Sequence, residues 1–356
     1  MKIGIIGLPQ TGKKTLFHIL TGSPQADHTE IHKPLPGTAD IQDPRFDSLV
    51  QMYDPQKQVR ARLDIVLLPK MEKETIVTGE IFKDIVDMDA ICHVVRGFED
   101  EAVYHVDGSV NPIRDVEMVN GELILHDLIF IEKRLERIES MLKKVKDEKQ
   151  QKEQALLIRM KEHLEHEQPL RIMHISPEEK KLLLSYPFIT LKELILVLNV
   201  SDDDLDNDST VRRLDDMCSR YRMEAMQISA KVESEIADLE SDEEKREFCE
   251  ELGIKEPALA QLSRLCIRAL GLCSFFTVGK DEVRQWLVRS GSSAPEAAGT
   301  IHSDLQRGFI RAEVMKYDEL IEHKNEAGLK QAGKMYLKGK EYIVEDGDIL
   351  NVRFKV

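Results

Sequence analysis

Lys2-Ile3-Gly4-Ile5-Ile6, Gly7-Leu8-Pro9-Gln10-Thr11-Gly12-Lys13-Lys14-Thr15 and Leu16-Phe17-His18-Ile19-Leu20 follow one another without a gap, and their order decides how the rest is read. An apolar run, a glycine-bounded loop ending in Gly-Lys and a helix start make a phosphate-binding P-loop. Glycines let backbone N–H groups turn toward a polyphosphate, the helix N-terminus adds positive partial charge, and Lys13 reaches the terminal phosphates. Gly7, Pro9, Gln10, Thr11, Gly12, Lys13, Lys14 and Thr15 are therefore the expected phosphate site. One position departs from the pattern. Ser or Thr normally follows the lysine and holds Mg²⁺, and this chain has Lys14. A slipped register, with Lys14 as the phosphate lysine and Thr15 on the metal, is the alternative.

Working outward, Val59–Leu68, Ala90–Arg96, Glu193–Asn199 and Glu224–Ala230 are short strand-like stretches, the middle ones strongly apolar. They alternate with helical segments. That alternation predicts an α/β domain with a parallel sheet covered on both faces. Leu128, Ile131, Leu135, Ile138, Leu142 and Val145 are spaced as a heptad seam, which Leu157, Met160 and Leu164 resume after a polar break. An antiparallel helical hairpin, inserted at about 121–168 and projecting from the sheet domain, fits this spacing. From Phe275 the pattern becomes that of a small mixed sheet. Phe275–Val278, Gly308–Val314, Lys340–Val344 and Asp348–Phe354 are its expected strands, with a hairpin turn at Asp346-Gly347. The predicted division is 1–275 and 276–356.

The 356 residues are 42% hydrophobic and 32% charged, as expected of a globular chain, and no membrane span or cleavable leader is expected. A net charge of −15 excludes nucleic-acid binding through bulk electrostatics. Any RNA contact needs a local basic surface. From Gly279 onward 13 basic residues balance 13 acidic ones, so the excess negative charge lies earlier. Five cysteines without a Cys-x-x-Cys pair predict free thiols in a reducing cytoplasm. Asp202, Asp204 and Asp206 lack the glycine and glutamate of a calcium loop and predict a solvated acidic segment. His163 and His166 are expected on an exposed helix face.

Longer strings carry a resemblance. Asp43-Pro44-Arg45-Phe46, His93 to Asp100, Val106 to Asp115, Glu132 to Arg137, Ile228 to Glu233 and Ala297 to Asp304 resemble the YchF/Obg-like ATPase family, over nearly the whole chain. The resemblance implies a P-loop NTPase G domain of the translation-factor class, an inserted helical hairpin and a C-terminal β-grasp (TGS) domain. It implies ATP or GTP as ligand, and ribosome or RNA association through the TGS domain and hairpin. It places the base on Asn199, Val200, Asp202, Ser229, Ala230 and Lys231, with base preference open because Asp202 stands where the family usually has Glu. The switch I threonine falls at Ile31, with Thr29 out of register. Switch II is read as Asp64-Ile65-Val66-Leu67, which makes Asp64 the remaining metal ligand, Leu67 the lost glycine and Leu68 the apolar residue in place of a catalytic Gln. Little dependence on Mg²⁺ and slow hydrolysis are expected, and no residue is assigned a catalytic role. The rival expectation is a non-hydrolysing paralogue that acts as a scaffold.

Overall fold

The structure, a computed structural model, describes residues 1–23, 33–100, 105, 108–144, 147–205, 207, 209–239, 241–254 and 256–355. Its strands are β1 (Lys2–Ile6), β2 (Leu35–Asp40), β3 (Lys57–Val59), β4 (Arg62–Leu67), β5 (Ala90–Arg96), β6 (Glu193–Asn199), β7 (Glu224–Ile228), β8 (Leu272–Thr277), β9 (Glu282–Arg289), β10 (Phe309–Lys316), β11 (Tyr336–Lys338) and β12 (Asp348–Phe354). The first helices are α1 (Lys13–Thr21), α2 (Pro44–Tyr53), α3 (Lys73–Thr78), α4 (Glu80–Val86), α5 (Pro112–Leu142) and α6 (Glu148–Glu165).

Two compact units share the chain: residues 1–38 with 64–258, and residues 39–63 with 259–356. The first is built on a six-stranded sheet of order β2-β4-β1-β5-β6-β7. β1 pairs in parallel with both β4 and β5, β5 with β6, and β6 with β7. Every residue of β5 is buried, as a strand covered on both faces must be. This is the expected α/β class. The core joins Ile6, Ile91, Val95, Leu196 and Leu198 of the sheet to Val119 and Leu123 of α5.

α5 and α6 form the expected hairpin. Asn111 caps α5 by accepting from Arg114 N–H at 3.2 Å, with Pro112 in its first turn, and Asp147 caps α6 by accepting from Lys149 N–H at 2.8 Å. The seam is a core of its own, in which Ile131 and Ile138 meet Leu157, Met160 and Leu164. Val145 lies outside the described residues. The Arg134 guanidinium locks the two helices together, donating to both oxygens of Glu153 at 2.7 and 3.1 Å. The N-terminal part of α5, with Val116, Val119 and Leu123, packs on the sheet, and the seam with α6 lies farther along the helix.

The second unit carries a mixed sheet of order β11-β10-β12-β8-β9-β3. Residues 39–63 group with it: β3 pairs in parallel with β9, and Phe46 and Leu49 of α2 share a core with Phe276, Val283 and Ile349. A boundary at 275/276 would cut through β8. Lys340–Val344 is not a strand. Ile343 makes one isolated bridge to Ser293, and β11 lies earlier, at Tyr336–Lys338. The side chain of Asp348, fully buried, explains this: it accepts from Glu345 N–H at 2.9 Å and from the Tyr342 hydroxyl at 2.7 Å, folding the segment into a turn.

Candidate functional site

The loop between β1 and α1 wraps around one ammonium group. Lys13 is 5% exposed, and its Nζ donates to the carbonyls of Gly7 at 2.6 Å and Leu8 at 3.1 Å. Lys13, rather than Lys14, is the lysine that the loop encloses. α1 begins at Lys13 behind Gly12, whose side opens no side-chain cap, so the first N–H groups of the helix stay available to an anion. Gly7 and Gly12 are required here. Gly12 has φ +86°, and a Cβ there would meet the Asn199 amide nitrogen at 2.2 Å; a Cβ on Gly7 would meet the Val94 carbonyl at 2.5 Å. Thr11, also buried, donates to the Leu8 carbonyl and tightens the loop, while Pro9 is half-buried and Gln10 exposed at φ 61°.

Burial lowers the Lys13 pKa to about 7, aided by the charges of Lys70 and Lys14 and opposed by Glu72. Buried His93, in β5, is pushed down to about 3, first by burial and then by Lys13, so it is a neutral imidazole beneath the loop. Neither His93 nor Lys70 is marked by the loop motif; they are brought to it by neighbouring strands.

β4 bears most on the metal site. In its register Asp64 lies opposite Lys2 and Leu67 opposite Ile5. Asp64 is therefore the third residue of the strand, about 16 Å of chain from the level of the loop at ~3.3 Å per residue. Its side chain is 57% exposed and pairs with the N-terminal amine at 3.7 Å. Its carboxylate is turned to the N-terminal amine, away from the carboxyl ends of the strands where a group would bind. The residue that ends β4 beside the loop is Leu67, fully buried. Leu68 N–H then donates to the Ile5 carbonyl at 3.1 Å and Met71 N–H to the Gly7 carbonyl at 3.4 Å. β4 thus ends on an apolar side chain, with Lys70 and Met71 just beyond it. Lys14, Leu67 and Lys70 offer no side-chain oxygen to a cation. Among the described residues no group of three or more His, Cys, Asp or Glu could hold a metal. Ile31 and Thr29 lie outside the described residues.

A cavity of about 670 Å³ opens beside the loop. Gly12 and Thr15 line one side, and Asn199, Val200, Asp202, Ala230 and Lys231 another. Asn199 is a staple rather than a free base-reading group. It is buried, its Nδ2 donates to the Thr11 carbonyl at 3.1 Å, and its Oδ1 accepts from Ala230 N–H at 2.9 Å. Ser229 is buried too; its hydroxyl caps the following helix, Ala230–Asp238, and donates to Asp202 at 2.9 Å. The second Asp202 oxygen pairs with Lys231. The Lys231 hydrogen bond, with that from Ser229, holds the Asp202 carboxyl below its ordinary pKa against burial. The third wall, Phe98 to Asp100, was missed by the sequence reading as a site element. Arg96 fixes it: this buried guanidinium lies 4.5 Å from the Phe98 ring and donates to the Phe98 carbonyl at 3.0 Å. The acidic segment after Asp202 includes a short 3-10 turn, Asp202–Asp204, and Asp206 lies outside the described residues.

Comparison with known proteins gives a consistent picture. A family model, YchF-GTPase_C, described as "Protein of unknown function (DUF933)", matches residues 272–355. The ribosome-binding ATPase YchF of Bacillus subtilis (strain 168) is 40% identical over 363 residues, covering 99% of each chain. Obg-like ATPase 1 of Caenorhabditis elegans is 36% identical, covering 99% of this chain and 92% of its own. Among solved structures, the YchF GTPase of Schizosaccharomyces pombe superposes with a TM-score of 0.82 at 29% identity, over 99% of this chain and 97% of that one.

Proposed function

The chain belongs to the YchF family, and from that premise we propose that it binds a purine nucleoside triphosphate, ATP or GTP, and associates with ribosomes. Phosphates are held by Lys13 and the backbone of Gly7 to Lys14, and the base lies against Asp202, Lys231 and Phe98. The observation that carries this reading is the stowed Lys13, poised to exchange two carbonyl partners for phosphate oxygens. Residues 1–38 with 64–258 act as the G domain with its hairpin, and the unit of residues 39–63 with 259–356 carries the TGS sheet. Ribosome contact uses the hairpin and the TGS surface, which places its action in the cytoplasm.

Hydrolysis is slow. Phosphoryl transfer depends on a metal that bridges the β- and γ-oxygens and on a carboxylate that helps hold it. β4 ends in Leu67, and a leucine cannot hold or orient water. The same feature supports the second reading, a non-hydrolysing scaffold that uses nucleotide only to set its shape. Titrating ATP and GTP into the intact chain, beside a phosphate-release assay and ribosome co-sedimentation, separates the two. Saturable binding with slow turnover supports the first reading. Binding with no turnover above background supports the second, and absence of binding removes both.

A further inference from the structure

The residues around the terminal phosphates do not fit Mg²⁺. The ion demands close to six oxygen ligands at about 2.0–2.1 Å, and in a P-loop protein the chain supplies the hydroxyl after the lysine and a carboxylate at the end of the adjacent strand. Here Lys14 follows the lysine, and the adjacent strand ends in Leu67. Thr15, the nearest hydroxyl in sequence, lines the cavity beside Gly12. The one carboxylate of β4, Asp64, lies opposite Lys2, three residues back from Leu67.

What the site has instead is positive charge at two extra points. Lys14 is the second residue of α1, directly after the stowed Lys13. Lys70 directly precedes Met71, whose N–H donates to the same Gly7 carbonyl that accepts from Lys13. The Lys70 ammonium lies 3.7 Å from Glu72, a half-exposed pair that a phosphate can outcompete. We propose that Lys14 and Lys70 together take the place of the divalent cation, so that this pocket binds its nucleoside triphosphate as the metal-free anion. Two ammonium groups carry the charge of one Mg²⁺, and they repel the ion from the place it would occupy. They differ from it in one respect: a lysine donates hydrogen bonds to phosphate oxygens but does not draw β- and γ-oxygens into one coordination sphere. Nucleotide is retained without being activated. The depressed pKa of Lys13, to which Lys70 contributes next after burial, is consistent with this clustering of cations.

The proposal rests on nucleotide binding at this loop, and its test keeps the two apart. ATP is titrated calorimetrically into the full chain in EDTA and again in excess MgCl₂. Affinity in EDTA within about threefold of that in MgCl₂ is expected. Lys14→Gln and Lys70→Gln should each weaken binding in EDTA about tenfold, the loss of one charge-assisted hydrogen bond. Each variant is first shown to melt as the parent does. The double change Lys14→Ser with Lys70→Gly, which returns a hydroxyl to the site and removes the Lys70 ammonium, should bind more weakly in EDTA than in MgCl₂. Binding by the parent that needs Mg²⁺, or parental affinity in both single variants in EDTA, would overturn the proposal while leaving nucleotide binding in place. No binding under either condition would overturn both.

Discussion

Burial sets the Lys13 pKa near 7, and a bound polyphosphate raises it again toward the ordinary lysine value. The sign follows directly. Below about pH 7 the ammonium is charged before and after binding, so affinity is flat with respect to this group. Above pH 7 the free site is neutral and binding must take up a proton. Affinity should then fall by up to about tenfold per pH unit until the bound-state pKa is reached. His93, held well below its ordinary pKa by burial, stays neutral through this range. Calorimetry at pH 8 in buffers of different ionisation enthalpy should report uptake approaching one proton, with almost none at pH 6. Equal uptake at both would show that Lys13 is charged in the free loop. Asp202 is the other informative residue. Its carboxylate is engaged by Ser229 and Lys231 before any base arrives, so a base must share it. Asp202→Ala should weaken nucleotide binding by about 1–3 kcal/mol, measured by the same titration. Unchanged affinity would mean the base is read by backbone and Phe98 alone.

At the scale of elements, the parallel strands and the hairpin were legible because their signals are periodic and local. The apolar run Ala90–Arg96 is a strand buried along its whole length, and the 3-4 spacing from Leu128 to Leu142 is the seam that packs on α6. β4 was harder for a physical reason. Matching Asp64-Ile65-Val66-Leu67 to a motif ignores where a strand ends, and only the pairing of Lys2 with Asp64 shows how far Asp64 lies from the loop. The equal distances from Lys2 to Gly7 and from Asp64 to Pro69 were the available clue. Arg96 and Phe98 were missed because a cation that shapes a loop by stacking and donating to carbonyls has no spacing signature. The hairpin is tied to the sheet domain by Asp127, fully buried in α5, which accepts from Ile189 N–H at 3.0 Å and from the Thr190 N–H and hydroxyl at 2.8 and 2.7 Å. Asp127→Ala strands two buried N–H groups. It should destabilise the chain by about 2–4 kcal/mol in urea unfolding. A loss within experimental error would mean that water replaces the carboxylate.

For the molecule as a whole, a net charge of −15 leaves ribosome association to local surfaces. The hairpin end carries exposed Lys143, Lys144, Lys149 and Lys152. Changing these four to Glu should reduce ribosome co-sedimentation by about tenfold or more at moderate salt, with ATP affinity unchanged. Full retention would move the contact elsewhere. Deleting residues 276–356 does more than remove the second sheet. α2 buries Phe46 and Leu49 against Phe276, Val283 and Met315, so the truncated chain is left with an uncovered apolar face. The grouping of residues 39–63 with the second unit was not legible in sequence, because a three-residue strand has no measurable alternation and its partner β9 begins more than 200 residues later. The truncated chain should aggregate on heating at a lower temperature than the parent by light scattering; an unchanged profile would show that α2 is stable alone.

The most direct test of nucleotide binding at this loop compares the intact chain with Lys13→Ala by calorimetric titration of ATP and GTP at pH 7. Lys13 is the group around which the loop closes, and removing it deletes a charge-assisted contact to the phosphates without adding bulk. Saturable one-site binding of at least one nucleotide is expected, weakened about tenfold or more in the variant while its melting transition is retained. No saturable binding by the intact chain, or equal affinity in a folded Lys13→Ala, would contradict a nucleotide site at this loop.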